Sequence, residues 1–256
     1  MSFIGNLFST IISAVTKEEI LKDLRRKGAR LLIGTSFILL GIYINAHYGI
    51  EVVRNILLVN VIFVVGSDYA RLSFNLKVPF LEPFVMHSYE KEGFQGATYA
   101  AIGNLLALSF TDFDIAMAAI CMFMYGDAVA NIIGKTFGKA KLFGRNKTIV
   151  GSLAMFVVSY LVGTIFVHDV HTPIFMALLA TAIEVIIVAP ADDFAIPLFT
   201  ALGGQYFGAL LGLRSYLEGF LAGVILFVVS ASVVVGFVGL FNLTKKVLNW
   251  PKKSST

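Results

Sequence analysis

The chain has 256 residues, of which 57% are hydrophobic and only 14% are charged, and its formal net charge is +4 at pH 7. Soluble domains carry about 25% charged residues, so this composition excludes a water-soluble globule, a disordered chain and a collagen-like fibre. A helix needs about 20 apolar residues to cross a bilayer, and a chain of this length has room for several such helices. The composition therefore predicts a single polytopic membrane domain without a separate soluble module.

Eight apolar runs along the chain predict an all-α, polytopic bundle of about eight transmembrane helices. The predicted spans are 29–46, 52–67, 95–110, 114–133, 149–167, 173–190, 195–213 and 217–242. An apolar and basic segment, 1–28, precedes them, and its spacing suits a helix lying in the membrane interface. A basic tail, 244–256, follows the transmembrane domain, 29–243.

The positive charges fall almost entirely on one side of this predicted topology. With the N-terminus placed in the cytoplasm, all of the 20 lysines and arginines except Arg54 and Arg214 lie in cytoplasmic segments. Cytoplasmic loops carry an excess of these residues, and a miscounted helix would scatter the bias. The pattern predicts that both termini face the cytoplasm, and it indicates that the net positive charge serves topology rather than nucleic acid binding.

Carboxylates in or near the apolar runs are costly to place in a membrane, so their positions indicate function. Asp127 lies near the cytoplasmic end of the fourth predicted span, and Asn131 and Lys135 follow at four-residue steps on the same helical face. Glu184 lies inside the sixth span. The other carboxylates on this side are Asp68, which can pair with Arg71, and Asp192 and Asp193 in the turn after the sixth span. Their convergence favours a cytoplasmic site over ion pairs that only orient helices.

A basic loop, 134–152, lies between the fourth and fifth spans and alternates lysines with glycines. Glycine lets backbone N–H groups approach a phosphate, and lysine supplies point charge to phosphate oxygens. Lys147 and Thr148 stand just before the fifth span, where a helix N-terminus favours an anion. The alternative interpretation is that these cations enforce topology and contact anionic lipid.

Two other kinds of site are excluded by spacing. Gly134-Lys135-Thr136 resembles the end of a P-loop, but Val129 occupies the position where that motif requires its first glycine. The single cysteine, Cys121, excludes a disulfide framework and a cysteine-based metal site. No histidine and carboxylate cluster has zinc-ligand spacing.

Three ordered blocks resemble the signature of the membrane lipid kinases that include dolichol kinase, phytol kinase and CTP-dependent diacylglycerol kinase. The blocks are GDAVA (126–130), GKTFGK (134–139) and KTIVGS (147–152). Weaker similarity extends over about residues 24–210 and includes Glu184 with DDFAIP (192–197). Asp193 stands where the family usually has Asn, and Arg30 stands where a histidine is frequent.

The resemblance implies CTP-dependent phosphorylation of a lipid alcohol with Mg²⁺ or another divalent cation. Phosphoryl transfer requires positioning and charge neutralisation, so we assign metal binding to Asp127, Asp192 and Asp193. Acceptance of the proton from the lipid hydroxyl is assigned to Glu184 or Asp192. Nucleotide binding is assigned to Gly126, Asn131, Lys135, Lys139, Lys141, Lys147, Thr148, Gly151 and Ser152. Steering of the lipid head group is assigned to Lys27, Arg30, Asp68, Arg71 and Glu90.

Substrate and reaction class leave alternatives open. An isoprenoid alcohol such as dolichol, another polyprenol or phytol is favoured, and diacylglycerol also has the required hydroxyl and apolar tail. A CTP:phosphatidate cytidylyltransferase would share intramembrane acids and CTP but would release pyrophosphate, whereas a kinase releases CDP. An ion-coupled transporter would distribute its carboxylates across the bilayer. The expected location is the plasma membrane of a prokaryote or the endoplasmic reticulum of a eukaryote.

Overall fold

Helices form nearly all of the part of the chain that the computed structural model describes, residues 18–74, 93–142 and 147–211. The α-helices are α1 (Glu18–Tyr48), α2 (Ile50–Phe74), α3 (Gly96–Phe110), α4 (Phe113–Cys121), α5 (Asp127–Phe137), α6 (Ile149–Phe166), α7 (His171–Ile186) and α8 (Ala191–Leu211). A π-helical turn, Met122–Gly126, joins α4 to α5. The predicted all-α class is confirmed.

Four helical segments are long and apolar enough to cross a membrane within the described ranges. They are Arg30–Tyr48, Ile50–Phe74, Phe113–Phe137 and Ile149–Phe166. The chain is therefore a membrane protein. Two other predicted spans coincide with α3 and α7, which have 15 and 16 residues. At 1.5 Å per residue these helices measure about 23 and 24 Å, less than the roughly 30 Å hydrocarbon layer.

The predicted count of eight spans is thus not confirmed. The last predicted span, 217–242, the tail 244–256 and residues 1–17 lie outside the described residues. Within the described residues, helix α1 extends back to Glu18, ahead of the predicted first span, 29–46. Helix α2 continues to Phe74, beyond the predicted second span, 52–67.

The helices arrange around a core of small and flexible side chains. Helix α8 packs along α3 and α7, while α6 packs between α5 and α7. Ala118, Met122, Met176 and Ala201 are fully buried there. A Cβ at Gly103 would lie 2.5 Å from the Phe194 carbonyl oxygen, so glycine is what permits α3 and α8 to approach this closely.

Helices α1 and α2 contribute much less to this core. Only 6% of the apolar window of each helix is buried, and Leu32 and Phe63 are 74% and 73% exposed. An apolar surface of this extent is typical of contact with lipid or with another protein surface. Gly49, with a φ of 83°, allows the sharp reversal between the two helices.

A buried polar junction holds α2 against α3. The Asp68 side chain is 2% exposed, and its Oδ1 accepts a hydrogen bond from Arg71 Nε at 3.1 Å, which confirms the predicted pair. Asp68 Oδ2 accepts from the Gln95 backbone N–H at 2.8 Å and from the Thr98 hydroxyl. Through these hydrogen bonds, Asp68 joins α2 to the start of α3.

Candidate functional site

Asp127 begins α5 directly after the π-helical turn, and it contacts two other predicted site residues. Lys27 of α1 forms an ion pair with Asp127 Oδ2. Asn131 Nδ2 donates to Asp127 Oδ1 at 2.7 Å and to the Asp127 carbonyl oxygen at 3.0 Å. The predicted shared face of Asp127 and Asn131 is therefore present. The Asp127 carboxylate is held by donors from its own helix and from α1.

The π-helical turn also contacts α1. The hydroxyl groups of Tyr125 and Thr35 lie 2.8 Å apart and hydrogen bond to each other. A Cβ at Gly34 would collide with the Met124 sulfur, so the backbone of α1 lies close to this turn. Because π-helical turns are frequent at functional sites, this turn marks Asp127 independently of its charge.

A second ion pair joins the end of the basic loop to α7. Lys147 Nζ contacts Glu184 Oε1, and Glu184 is only 2% exposed. Burial lowers the pKa of the Lys147 ammonium, but the Glu184 and Asp127 carboxylates more than offset this, so the pKa lies above its ordinary value. Lys147 consequently remains charged throughout the physiological pH range.

Asp192 and Asp193 lie in the first turn of α8 rather than in a turn before it. This corrects the sequence-based placement, because the helix begins at Ala191. The Asp193 backbone N–H donates to Asp192 Oδ1 at 3.1 Å. Burial, followed by repulsion from the Asp127 carboxylate, raises the pKa of Asp192 to about 6. Asp127, Glu184 and Asp192 therefore belong to one electrostatic cluster.

A pocket of about 100 Å³ opens beside this cluster. This volume is smaller than the roughly 300–1,000 Å³ of pockets that hold a whole small-molecule ligand, so it suits part of a phosphate chain rather than a whole nucleotide. Its lining residues are Ala130, Asn131, Gly134, Lys135, Lys147, Thr148, Gly151, Ser152 and Glu184. Six of the residues predicted to bind nucleotide therefore share one pocket with a predicted proton acceptor.

The basic loop reaches this pocket through an antiparallel β-bridge between Lys141 and Thr148. The Leu142 N–H donates to the Lys147 carbonyl at 2.8 Å, and the Ile149 N–H donates to the Ala140 carbonyl at 3.2 Å. Thr148 caps α6 by accepting from the Gly151 N–H at 3.1 Å. Two N–H groups at this helix terminus are thus already used, so the predicted anion site there depends more on Lys147 and the helix dipole.

Small residues bring α5 and α6 together at the pocket. A Cβ at Gly151 would lie 2.8 Å from the Ala130 carbonyl oxygen, and one at Gly134 would lie 2.9 Å from Thr148 Oγ1. Ala130 and Gly134 were not predicted as site residues. The sequence could have indicated them, because Gly126, Ala130, Gly134 and Gly138 recur at the four-residue spacing that lets helices approach closely.

Several predicted site residues lie elsewhere. Lys139 and Lys141 are exposed and do not line the pocket. Gly126 is buried in the helix contact with Met155 and Ser159. Arg30 acts on Asp127 through its charge. Arg71 belongs to the α2–α3 junction, where its Nη2 donates to the Gly93 carbonyl at 2.6 Å, and Glu90 lies outside the described residues.

The donor set fits a divalent cation only in a particular way. No group of three or more His, Cys, Asp or Glu side chains in the described ranges is arranged to hold a metal ion. Mg²⁺ commonly uses one or two carboxylates together with substrate phosphates and waters. The oxygens of Asp127 and Asp192 suit that mode, whereas a cage built entirely from protein groups is not formed by the described residues.

Comparison with known proteins identifies partial relatives. The chain is 29% identical over 118 residues to CTP-dependent diacylglycerol kinase 1 of Eremothecium gossypii, covering 44% of this chain and 37% of that protein. It is 30% identical over 122 residues to a probable chloroplastic phytol kinase of Triticum aestivum, covering 41% of each chain. An uncharacterized protein of Methanocaldococcus jannaschii is 40% identical over 97 residues, covering 37% of this chain and 49% of that protein.

The chain thus spans less than half of the length of these curated relatives. No protein-family profile matches it, and no solved structure matches it. The similarity to two lipid kinases agrees with the resemblance carried by the three sequence blocks.

Proposed function

We propose that the protein is a CTP-dependent lipid kinase that transfers the γ-phosphoryl group of CTP to the hydroxyl of a membrane lipid alcohol. The observation that carries the proposal is the pocket in which Lys135, Lys147 and Thr148 meet the buried Glu184 beside Asp127. The names of two partial relatives, a CTP-dependent diacylglycerol kinase and a probable phytol kinase, support the donor and the acceptor class.

Lysines in this pocket hold and neutralise the phosphate chain. Lys147 enters the pocket already oriented by Glu184, and Lys135 comes from the facing helix α5. Thr148 provides a hydroxyl group at the start of α6. Because phosphoryl transfer depends on positioning and on stabilisation of charge, these groups supply the main requirements of the reaction.

Asp127 and Asp192 would hold a divalent cation, with Asp193 adjacent to it. When bound, such a cation offsets charge on the transferred phosphoryl group. Asn131 fixes the orientation of the Asp127 carboxylate, and Lys27 offsets the negative charge of that carboxylate. Either Glu184 or Asp192 accepts the proton of the acceptor hydroxyl.

The site faces the cytoplasm, where CTP is available, and the acceptor tail stays in the membrane. The apolar side chains of Ile149, Val150 and Leu153 are 53%, 40% and 62% exposed on the side of α6 away from the pocket, and a surface of this kind suits contact with lipid. An isoprenoid alcohol is the favoured acceptor, and diacylglycerol is the second candidate.

The test is incubation of the purified protein with radiolabelled CTP, Mg²⁺ and either phytol, dolichol or 1,2-dioleoylglycerol. We expect a phosphorylated lipid and CDP. Asp127→Asn should lower turnover roughly 100-fold or more because it removes a charge that acts in the transition state. Asp114→Asn is the matched control, since Asp114 is an exposed carboxylate at the start of α4. Release of pyrophosphate, or full activity of Asp127→Asn, would contradict the proposal.

A further inference from the structure

Two buried polar atoms in the pocket have no hydrogen-bond partner. These are Glu184 Oε2 and Ser152 Oγ, which belong to α7 and α6. An unsatisfied buried carboxylate oxygen costs about as much as a lost charged hydrogen bond, so its presence in a pocket indicates a ligand. Ser152 and Glu184 line the same pocket, so one small polar group that enters this pocket can satisfy both atoms.

The chemistry of the two atoms restricts what that group can be. A carboxylate oxygen only accepts hydrogen bonds, while a serine hydroxyl both donates and accepts. A phosphate oxygen next to Glu184 Oε2 would be repelled, because both carry negative charge. Glu184 is the only acidic residue that lines the pocket among the described residues, which also disfavours a divalent cation at this position. A neutral hydroxyl group matches both atoms.

The helix that carries Ser152 indicates that this hydroxyl belongs to a lipid. Helix α6 is long and apolar enough to cross a membrane, and its side away from the pocket carries exposed apolar side chains such as Val150 and Leu153. An alcohol that enters the pocket from the membrane can therefore place its oxygen beside Ser152 and Glu184 while its apolar tail remains in the bilayer.

Lys147 selects which Glu184 oxygen is available. Its ammonium contacts Oε1, so Oε2 is the oxygen directed to the acceptor. Asp192, the other candidate proton acceptor, does not line the pocket, and its Oδ1 already accepts from the Asp193 N–H. This difference between the two carboxylates favours Glu184.

We propose that Ser152 and Glu184 form the acceptor subsite, in which Ser152 Oγ donates to the alcohol oxygen and Glu184 Oε2 accepts the hydroxyl proton. The alcohol oxygen then bonds to the γ-phosphorus of CTP. The bond from that phosphorus to the bridging oxygen breaks, and CDP leaves with its electron pair. The transfer step rests on the proposed function, whereas binding of the alcohol does not.

The experiment compares Ser152→Ala with Ser159→Ala in detergent micelles, using phytol and 1,2-dioleoylglycerol as probes. Ser159 is the matched control, because it lies two turns further along α6 and also has a buried hydroxyl without a partner, but it does not line the pocket. Binding of each probe is measured without CTP, and the KM values for lipid and CTP are measured separately.

We expect Ser152→Ala to weaken probe binding and raise the lipid KM roughly three- to tenfold, the effect of one lost hydrogen bond, with the CTP KM unchanged. Ser152→Thr, which keeps a hydroxyl, should restore binding. Glu184→Gln should lower kcat roughly 100-fold or more through loss of the base, and its thermal unfolding shows whether the fold is retained. Ser159→Ala should behave as the unsubstituted protein.

The subsite is wrong if Ser152→Ala raises the CTP KM alone, if Ser159→Ala has the same effect, or if folded Glu184→Gln keeps its turnover. Probe binding that depends on Ser152, without any phosphorylated product, would contradict the kinase proposal and support the alcohol subsite. Phosphorylation that is unaffected by substitution of Ser152 and Glu184 would contradict the alcohol subsite and support the kinase proposal. Absence of both binding and transfer would overturn both.

Discussion

Lys27 and Lys147 place two positive charges against carboxylates that lie far away in the sequence. Lys27 pairs with Asp127 across 100 residues, and Lys147 pairs with Glu184 across 37. A buried carboxylate without such a partner costs several kcal/mol. The two lysines therefore allow Asp127 and Glu184 to occupy one site, and Lys147, which lines the pocket, is placed to exchange its partner for a ligand.

The proposed activity should depend on pH through a single residue, Asp192. Because the pKa of Asp192 is raised to about 6, this carboxylate becomes ionised only as the pH rises through that value. On the proposed function, protonation of Asp192 removes a ligand of the cation, so kcat/KM should decrease as the pH falls below about 6.

The measurement is a profile of kcat/KM from pH 5 to 9, with Asp192→Asn as the comparison. The acidic decrease should be absent from the residual activity of Asp192→Asn. The Lys147 pKa is raised, so Lys147 should contribute no decrease on the alkaline side of this range. A decrease centred near pH 8 that disappears in Lys147→Ala would contradict this account.

At the scale of elements, the contact between α5 and α6 forms the floor of the pocket. Gly151→Ala would place a Cβ 2.8 Å from the Ala130 carbonyl oxygen, and backbone cannot easily move away. We expect a loss of about 1–3 kcal/mol in the free energy of unfolding, together with reduced nucleotide binding. Thermal unfolding in detergent and a nucleotide titration measure the two effects.

Gly66→Ala is the matched control for this substitution. Gly66 is also helical, but a Cβ there meets no atom within 4 Å. It should be neutral or stabilising by up to about 1 kcal/mol, because alanine favours the helix. Equal destabilisation by Gly151→Ala and Gly66→Ala would show that the contact between α5 and α6 does not require glycine at position 151.

The junction between α2 and α3 makes a separate prediction. Asp68→Ala removes the acceptor shared by the Arg71 guanidinium, the Gln95 N–H and the Thr98 hydroxyl. The free energy of unfolding should fall by about 3 kcal/mol or more, since buried donors lose a charged acceptor. Asp112→Ala is the control, because Asp112 is exposed and pairs only at the surface with Gln205. A smaller effect at Asp68 than at Asp112 would contradict the prediction.

Helix content followed from the apolar runs, but not every helix end did. The predicted first span, 29–46, agrees with the apolar segment Arg30–Tyr48, while α1 extends back to Glu18, because charged residues continue a helix as readily as apolar ones do. Asp192 and Asp193 were assigned to a turn, although acidic residues in the first turn are favoured by the helix dipole. The π-helical turn has no signal in hydropathy.

Contacts within one helix of the candidate site were predictable from the sequence, whereas contacts between distant segments were not. The grouping of Asp127 with Asn131 followed from helical spacing and is confirmed. The pair of Lys27 with Asp127 could not be read from spacing, since it joins distant segments. Lys139 and Lys147 have the same side chain and belong to the same loop, yet only Lys147 lines the pocket, because the β-bridge turns the chain there.

At the scale of the whole molecule, the predicted topology places the basic loop in the cytoplasm and the α6–α7 connection outside. Lys139→Cys and His168→Cys test this, since both positions are exposed. The native Cys121 is buried and should stay silent toward a membrane-impermeant thiol reagent. In intact cells we expect labelling at residue 168, and at residue 139 only after permeabilisation. The opposite pattern would invert the orientation.

The π-helical turn before Asp127 has a consequence for how sequence changes act here. Such a turn contains one residue more than an α-helical path, so it rotates everything downstream by about 100° relative to α4. Deletion of a single residue from Met122–Gly126 would leave a helix of nearly the same length and hydrophobicity. It would nevertheless rotate Asp127 and Asn131 together away from Lys27. Insertion into the bilayer would survive such a deletion, while the proposed catalytic activity would be lost.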